Sequence, residues 1–90
     1  MSYSVYVIKS EKDGRLYVGM SSRVDERLKE HNNGNTFSTK GYRPWKIVYV
    51  ENCGDRITAR RREKYLKSGC GKEFLKATLA QLVEQRFCKP

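Results

Sequence analysis

One carboxylate stands apart in the chain: Glu63, set in the run Arg60-Arg61-Arg62-Glu63-Lys64. At helical spacing it lies beside Ala59 and Leu66, so it borders the core-facing side rather than open solvent. A carboxylate in that position is a candidate oxygen ligand for a divalent cation. Mg²⁺ is commonly held by one or two carboxylates, with water and phosphate oxygens completing its shell. The plainer reading is an i,i+4 ion pair with Lys67, worth about 0.2–0.5 kcal/mol. Arg27 and His31 stand one helical turn apart, either side of Val24 and Leu28. A guanidinium offers a forked donor to phosphate and stabilises charge growing in a pentacoordinate transition state. An imidazole with a pKa near 6.5 can take a proton from water. A solvated arginine and a structural, hydrogen-bonding histidine are the ordinary alternatives. Tyr6, in Val5-Tyr6-Val7, and Tyr17, in Tyr17-Val18-Gly19, are either strand packing residues or phenols lining a site, and Gly19 leaves room for close approach of backbone or substrate. A carboxylate, a guanidinium, an imidazole and phenols are groups that hydrolysis at phosphorus would need, and each keeps its plain structural reading beside that one.

The elements that must hold them are readable from pattern. Residues 3–8, Tyr-Ser-Val-Tyr-Val-Ile, predict a strand buried on both faces. Residues 10–14 predict a polar turn and residues 16–20 the returning strand. Ser21 and Ser22 supply an N-cap for a helix running to about His31, with Asp25 in its first turn and Asn33-Gly34 as its stop. Residues 34–44 read as a polar loop, 45–50 as a third strand and 56–68 as a second helix ended by Gly69-Cys70-Gly71. A third helix is expected from about Lys72, with an apolar stripe of Phe74, Leu75, Thr78, Leu79, Leu82 and Val83. The order ββαβαα predicts an α+β fold, a small three-stranded antiparallel sheet flanked by helices, as a single domain over residues 1–90.

Composition narrows the partners. The chain has 90 residues and a net charge of +9, an excess that asks for a polyanion. Nucleic acid fits better than a membrane surface, which would want a clean basic amphipathic helix with large apolar anchors. Cations expected to meet it are Arg60, Arg61, Lys64 and Lys67 on the second helix, with Arg62 among them, and Lys40, Arg43 and Lys46 around the third strand. Tyr42 and Trp45 are interleaved with these and could stack on an unpaired base; a buried Trp45 and merely solvating charges are the alternative. Cys53, Cys70 and Cys88 form no CxxC and the chain has one His, which argues against structural zinc and for reduced thiols in the cytoplasm. No segment has the apolar length of a signal peptide or a membrane span.

Val5-Tyr6-Val7, Tyr17-Val18-Gly19, Arg27 through His31 and Arg62-Glu63-Lys64, in that order and spacing, resemble the GIY-YIG nuclease family, most closely its small single-domain members. The resemblance covers about residues 2–76. It implies paired strands carrying the two tyrosines, a catalytic Arg27 on the next helix and a metal-binding Glu63 on a later one. It also implies that Tyr17 orients or deprotonates the attacking water, with Tyr6 in support. The activity implied is a metal-dependent endonuclease using Mg²⁺ or Mn²⁺ on nucleic acid, DNA being expected, with no small-molecule cofactor. Larger relatives carry separate recognition domains, so low sequence specificity is expected here. The resemblance favours a hairpin loop opened from residues 9–14, which would set Tyr6 opposite Tyr17. Three departures stand out: the first tripeptide lacks glycine, Met20 occupies a position where some relatives have Lys, and residues 71–90 contain no Asn. Lys29, Lys40 or Arg23 are candidates to replace that Lys. A non-catalytic nucleic-acid-binding module, or a recruitment subunit of a repair or recombination complex, is the alternative function.

Overall fold

In the computed structural model, residues 2–88 are described, with side chains for residues 2–79. The elements are β1 (Tyr3–Ser10), β2 (Leu16–Ser21), α1 (Val24–Asn32), β3 (Trp45–Gly54), α2 (Arg56–Lys67) and α3 (Gly69–Cys88), with a single 3-10 turn at Lys40–Tyr42. The fold is α+β in the order ββαβαα, as the pattern predicts. The sheet is antiparallel with strand order β2-β1-β3, so β1 is central. That explains its unbroken apolar run: alternate residues serve opposite faces, and Val5, Tyr6, Val7 and Ile8 are all buried. Val5 and Val7 join Val18, Ala59, Leu66 and Leu75 beneath α2 and α3. Tyr6 and Ile8 join Trp45, with Tyr17, Val24 and Leu28, beneath α1. The sheet is thus covered on both faces.

Four boundaries differ from the sequence reading. The hairpin pairs Tyr6 with Gly19 and Tyr17 with Ile8, so the two tyrosines share a face but are offset by two residue pairs rather than opposed. The loop is set by Ser10, whose N–H donates to the Arg15 carbonyl and whose own carbonyl accepts from Gly14. Gly14 turns the chain with φ +81°. Next, β3 continues to Gly54 because β1 begins early enough to pair with it, Tyr3 meeting Gly54 and Ser4 meeting Asn52. That tertiary pairing overrides the weak strand propensity of Glu51-Asn52. The start of α1 is Val24: the Ser21 hydroxyl accepts from the Arg23 N–H, but Ser21 stands two residues ahead of the cap position, which Arg23 holds without a side-chain cap. Finally, α3 begins at Gly69, so Gly69-Cys70-Gly71 is a helical turn and not a linker. Ser68 closes α2 and opens α3, its carbonyl accepting from the Lys72 N–H and its hydroxyl from the Gly71 N–H. A Cβ at Gly71 would collide with the Tyr65 carbonyl and the Leu66 Cα, so the glycine lets the two helices touch.

Phe74, Leu75, Thr78 and Leu79 are buried or half-buried. The side chains of Leu82, Val83 and Cys88 lie outside the described residues. Cys53 and Cys70 are free thiols. Among the described residues no helix is long and apolar enough to cross a membrane.

Candidate active site

The side chains singled out in the sequence come from four elements: Tyr6 from β1, Tyr17 from β2, Arg27 and His31 from α1, and Glu63 from α2. They meet around the edge strand β2, where a residue from each helical layer touches Tyr17. From the α1 side, the His31 ring lies 5.0 Å from the Tyr17 ring, centroid to centroid. From the α2 side, Lys67 Nζ lies 5.9 Å from the centre of that ring.

Tyr6 is the hub. Its ring lies across β2, which only a glycine opposite permits: a Cβ at Gly19 would stand 2.5 Å from the Tyr6 hydroxyl. So Gly19 makes room for Tyr6 rather than for a ligand. The hydroxyl reaches His31 Nε2 at 3.0 Å. Burial pushes the Tyr6 phenol up to about 12, with Arg27 pulling the other way and Tyr17 and Glu63 adding smaller upward pushes. Tyr6 therefore stays protonated near neutral pH, with a proton to offer His31. His31 is fully buried, 0% exposed. Its Nδ1 is 2.9 Å from Thr39 Oγ1, and the Thr39 hydroxyl points on to the Thr36 carbonyl at 3.4 Å. With Tyr6 donating to Nε2, the fitting tautomer carries its proton on Nδ1 and passes it toward Thr39. Desolvation, then Arg27, lowers the His31 pKa below 6.5. With both nitrogens engaged and no exposed surface, His31 is placed to hold Tyr6 and Tyr17 rather than to take a proton from bulk water.

Arg27 is half-buried and spends one guanidinium nitrogen on Glu30 Oε1 at 2.6 Å. Glu63 is 9% exposed. Its Oε2 is 3.3 Å from Lys67 Nζ and its Oε1 is 3.6 Å from Arg60, so the plain i,i+4 pair is present along with the inward position. Arg23 pairs with Glu26 and Lys40 lies over the Phe37 ring. Lys67 reaches both Glu63 and the Tyr17 ring, a signal available in the sequence as its i+4 spacing from Glu63.

The other cations divide into separate patches. Arg60, Arg61 and Lys64 line an open cleft of about 890 Å³ with Arg56, beside Met20 and Ile57. Arg56 was missed, although it falls on the same helical stripe as Arg60 and Lys64. Lys40 and Arg43 border a different depression with Lys12 and Asn32, and Lys46 is exposed on β3 opposite Lys9. Arg62 is engaged within the protein: it pairs with Glu51 at 3.0 Å and lies 5.0 Å from the centres of the Tyr65 and Phe74 rings. Trp45 must likewise be withdrawn as a stacking platform. It is 3% exposed, and its indole N–H donates to the Thr39 carbonyl at 2.9 Å. The Tyr42 ring is covered by the Arg15 guanidinium at 3.6 Å.

Comparison with known proteins gives relatives by sequence and by fold. A family model described as the GIY-YIG catalytic domain matches residues 2–74. A UPF0213 protein of Clostridium perfringens is 41% identical over 68 residues, 74% of this chain and 71% of that one. One from Staphylococcus haemolyticus is 35% identical over 83 residues, covering 91% and 94%. The solution NMR structure of a UPF0213 protein from Bacillus halodurans is similar with a TM-score of 0.54 at 31% identity, over 87% of this chain and 85% of that one.

Proposed function

The chain belongs to the GIY-YIG catalytic-domain family, a family of nucleases, and from that premise we propose that it is a divalent-metal-dependent endonuclease hydrolysing phosphodiester bonds in nucleic acid, DNA first, with little sequence preference. The observation that carries this reading is convergence: the Tyr6 phenol is 3.0 Å from His31, the His31 ring is 5.0 Å from the Tyr17 ring, and Lys67, paired with Glu63 at 3.3 Å, lies 5.9 Å from the centre of the Tyr17 ring. These groups come from elements far apart in sequence.

Glu63 is the residue that would hold a metal. Among the described residues no three His, Cys, Asp or Glu side chains are grouped to cage an ion. Such a donor set suits a hard cation that keeps its water and takes phosphate oxygens, Mg²⁺ or Mn²⁺. Bound there, it would supply positive charge and Lewis acidity at the scissile phosphate. Arg27 binds a non-bridging phosphate oxygen with the part of its fork not engaged by Glu30. Tyr17, the less buried of the two tyrosines, orients the attacking water. Tyr6 keeps its proton and, with His31, fixes the Tyr17 ring. Arg56, Arg60, Arg61 and Lys64 hold the flanking phosphates. Free thiols at Cys53 and Cys70 suit a reducing compartment, the cytoplasm.

One observation favours a non-catalytic nucleic-acid-binding role instead: Glu63 is already neutralised by Arg60 and Lys67. Incubating supercoiled plasmid with the protein separates the readings. Nicking in Mg²⁺ or Mn²⁺ that stops in EDTA supports the nuclease; binding with no nicking in either metal supports the second role.

A further inference from the structure

A second cavity, of about 440 Å³, opens where β2, α2 and α3 meet. Tyr17 and Lys67 form one wall and belong equally to the catalytic cluster. Leu16, Val18, Leu66 and Leu75 give it an apolar floor. Lys72 and Lys76, one helical turn apart and both exposed, complete a cationic rim with Lys67. Among the described residues that line it, none is acidic.

We propose that this cavity is a subsite for one unstacked nucleotide of the substrate strand, seated next to the phosphate that is cut. The proposal rests on the nuclease reading and names the substrate class that reading leaves open: a strand unpaired, frayed or branched at the cleavage point. An apolar floor ringed by cations is the complement of a nucleotide, whose base faces are poorly hydrated and whose phosphates are anionic. A free phosphate would have no use for the leucines, and an apolar ligand none for the lysines. The volume falls within the ~300–1,000 Å³ of small-ligand cavities. A base can reach the floor only after leaving the stack of a duplex. Tyr17 and Lys67 are shared, and Lys67 pairs with Glu63 at 3.3 Å, so a base in the cavity brings its own phosphate toward Glu63. With Trp45 buried and Tyr42 covered by Arg15, the place for an unpaired base moves here from the third strand.

The test is binding in EDTA, so that cleavage plays no part. Fluorescence anisotropy compares a short single-stranded oligothymidylate with a wholly abasic strand carrying the same number of phosphates. The base-bearing strand should bind roughly fivefold or more tightly, a modest return for one base on an apolar platform. Leu16 is 39% exposed, so Leu16→Glu is expected to fold, and it should abolish the difference. Lys72→Ala with Lys76→Ala should weaken both strands alike. Methyl NMR gives a readout independent of the variant: the Leu75 methyl signals should shift with the thymidylate and not with the abasic strand. Equal affinity for the two strands, or a preference that survives Leu16→Glu without Leu75 shifts, overturns the subsite. Either result leaves the nuclease reading intact, because plasmid nicking decides that separately.

Discussion

At the scale of single residues, the site is governed by which groups keep their protons. His31 is held neutral by burial and by Arg27, with its folded pKa below the ordinary 6.5. The native state therefore binds fewer protons than the unfolded chain, and its stability is complete above about pH 6.5. It should fall as pH drops below 6.5, by at most ~1.4 kcal/mol per pH unit, until the folded pKa is passed. The chain has one His, so a loss between pH 6.5 and 5, above the range of ordinary carboxylates, belongs to His31. Thermal melts at closely spaced pH values should show it, and His31→Gln should flatten the curve in that window. An unchanged dip in the variant would move the effect elsewhere. Arg27→Lys keeps charge and loses the fork, so kcat should drop by an order of magnitude or more while affinity barely changes. Weakened binding with intact single-turnover cleavage would reduce Arg27 to a docking charge. Residue identity was well signalled where neighbours along one helix decide it: Glu63 sits inward and beside Lys67 as its spacing implies. The burial of His31 and Trp45 was not, since each is sealed by Thr39, and nothing local marks that threonine as the common partner.

At the scale of elements, glycine decides two close approaches. Gly19→Ala would press a methyl into the Tyr6 ring. Overpacking of this kind costs about 1–3 kcal/mol, and a displaced Tyr6 should lower kcat as well. Gly71→Ala meets backbone at the α2–α3 junction, so it should lower stability by a similar ~1–3 kcal/mol without a specific defect at Tyr6. Urea melts paired with nicking rates distinguish them; equal losses of activity per unit of stability would contradict the assignment of Gly19 to the site. These positions also mark how far pattern reading reaches. The apolar run of β1, the order of elements and the tyrosine spacing were legible. The hairpin register was not, because it depends on a ring lying across the neighbouring strand, and residues 69–71 read as a stop because helix propensity cannot see the helix that a bare Cα packs against.

At the scale of the molecule, a net charge of +9 is distributed as separate patches, with the richest along α2 beside the site. Binding should rest mostly on counterion release, with log K falling against log salt at a slope of about −3 to −5 for four or five neutralised phosphates. Replacing Arg61 and Lys64 together by Ala should flatten that slope by about 2 and weaken unrelated duplexes equally. A shallow slope, or strong preference for one duplex sequence, would mean that specific contacts dominate. The central claim, that the cluster around β2 cuts phosphodiesters, is tested most directly by Glu63→Gln, which removes the charge at nearly constant shape. Wild-type protein should nick supercoiled plasmid in Mg²⁺ or Mn²⁺. The variant, with an unchanged melting profile and affinity equal to or slightly above wild type, should leave the plasmid intact. Nicking by the variant at near wild-type rate would contradict the account.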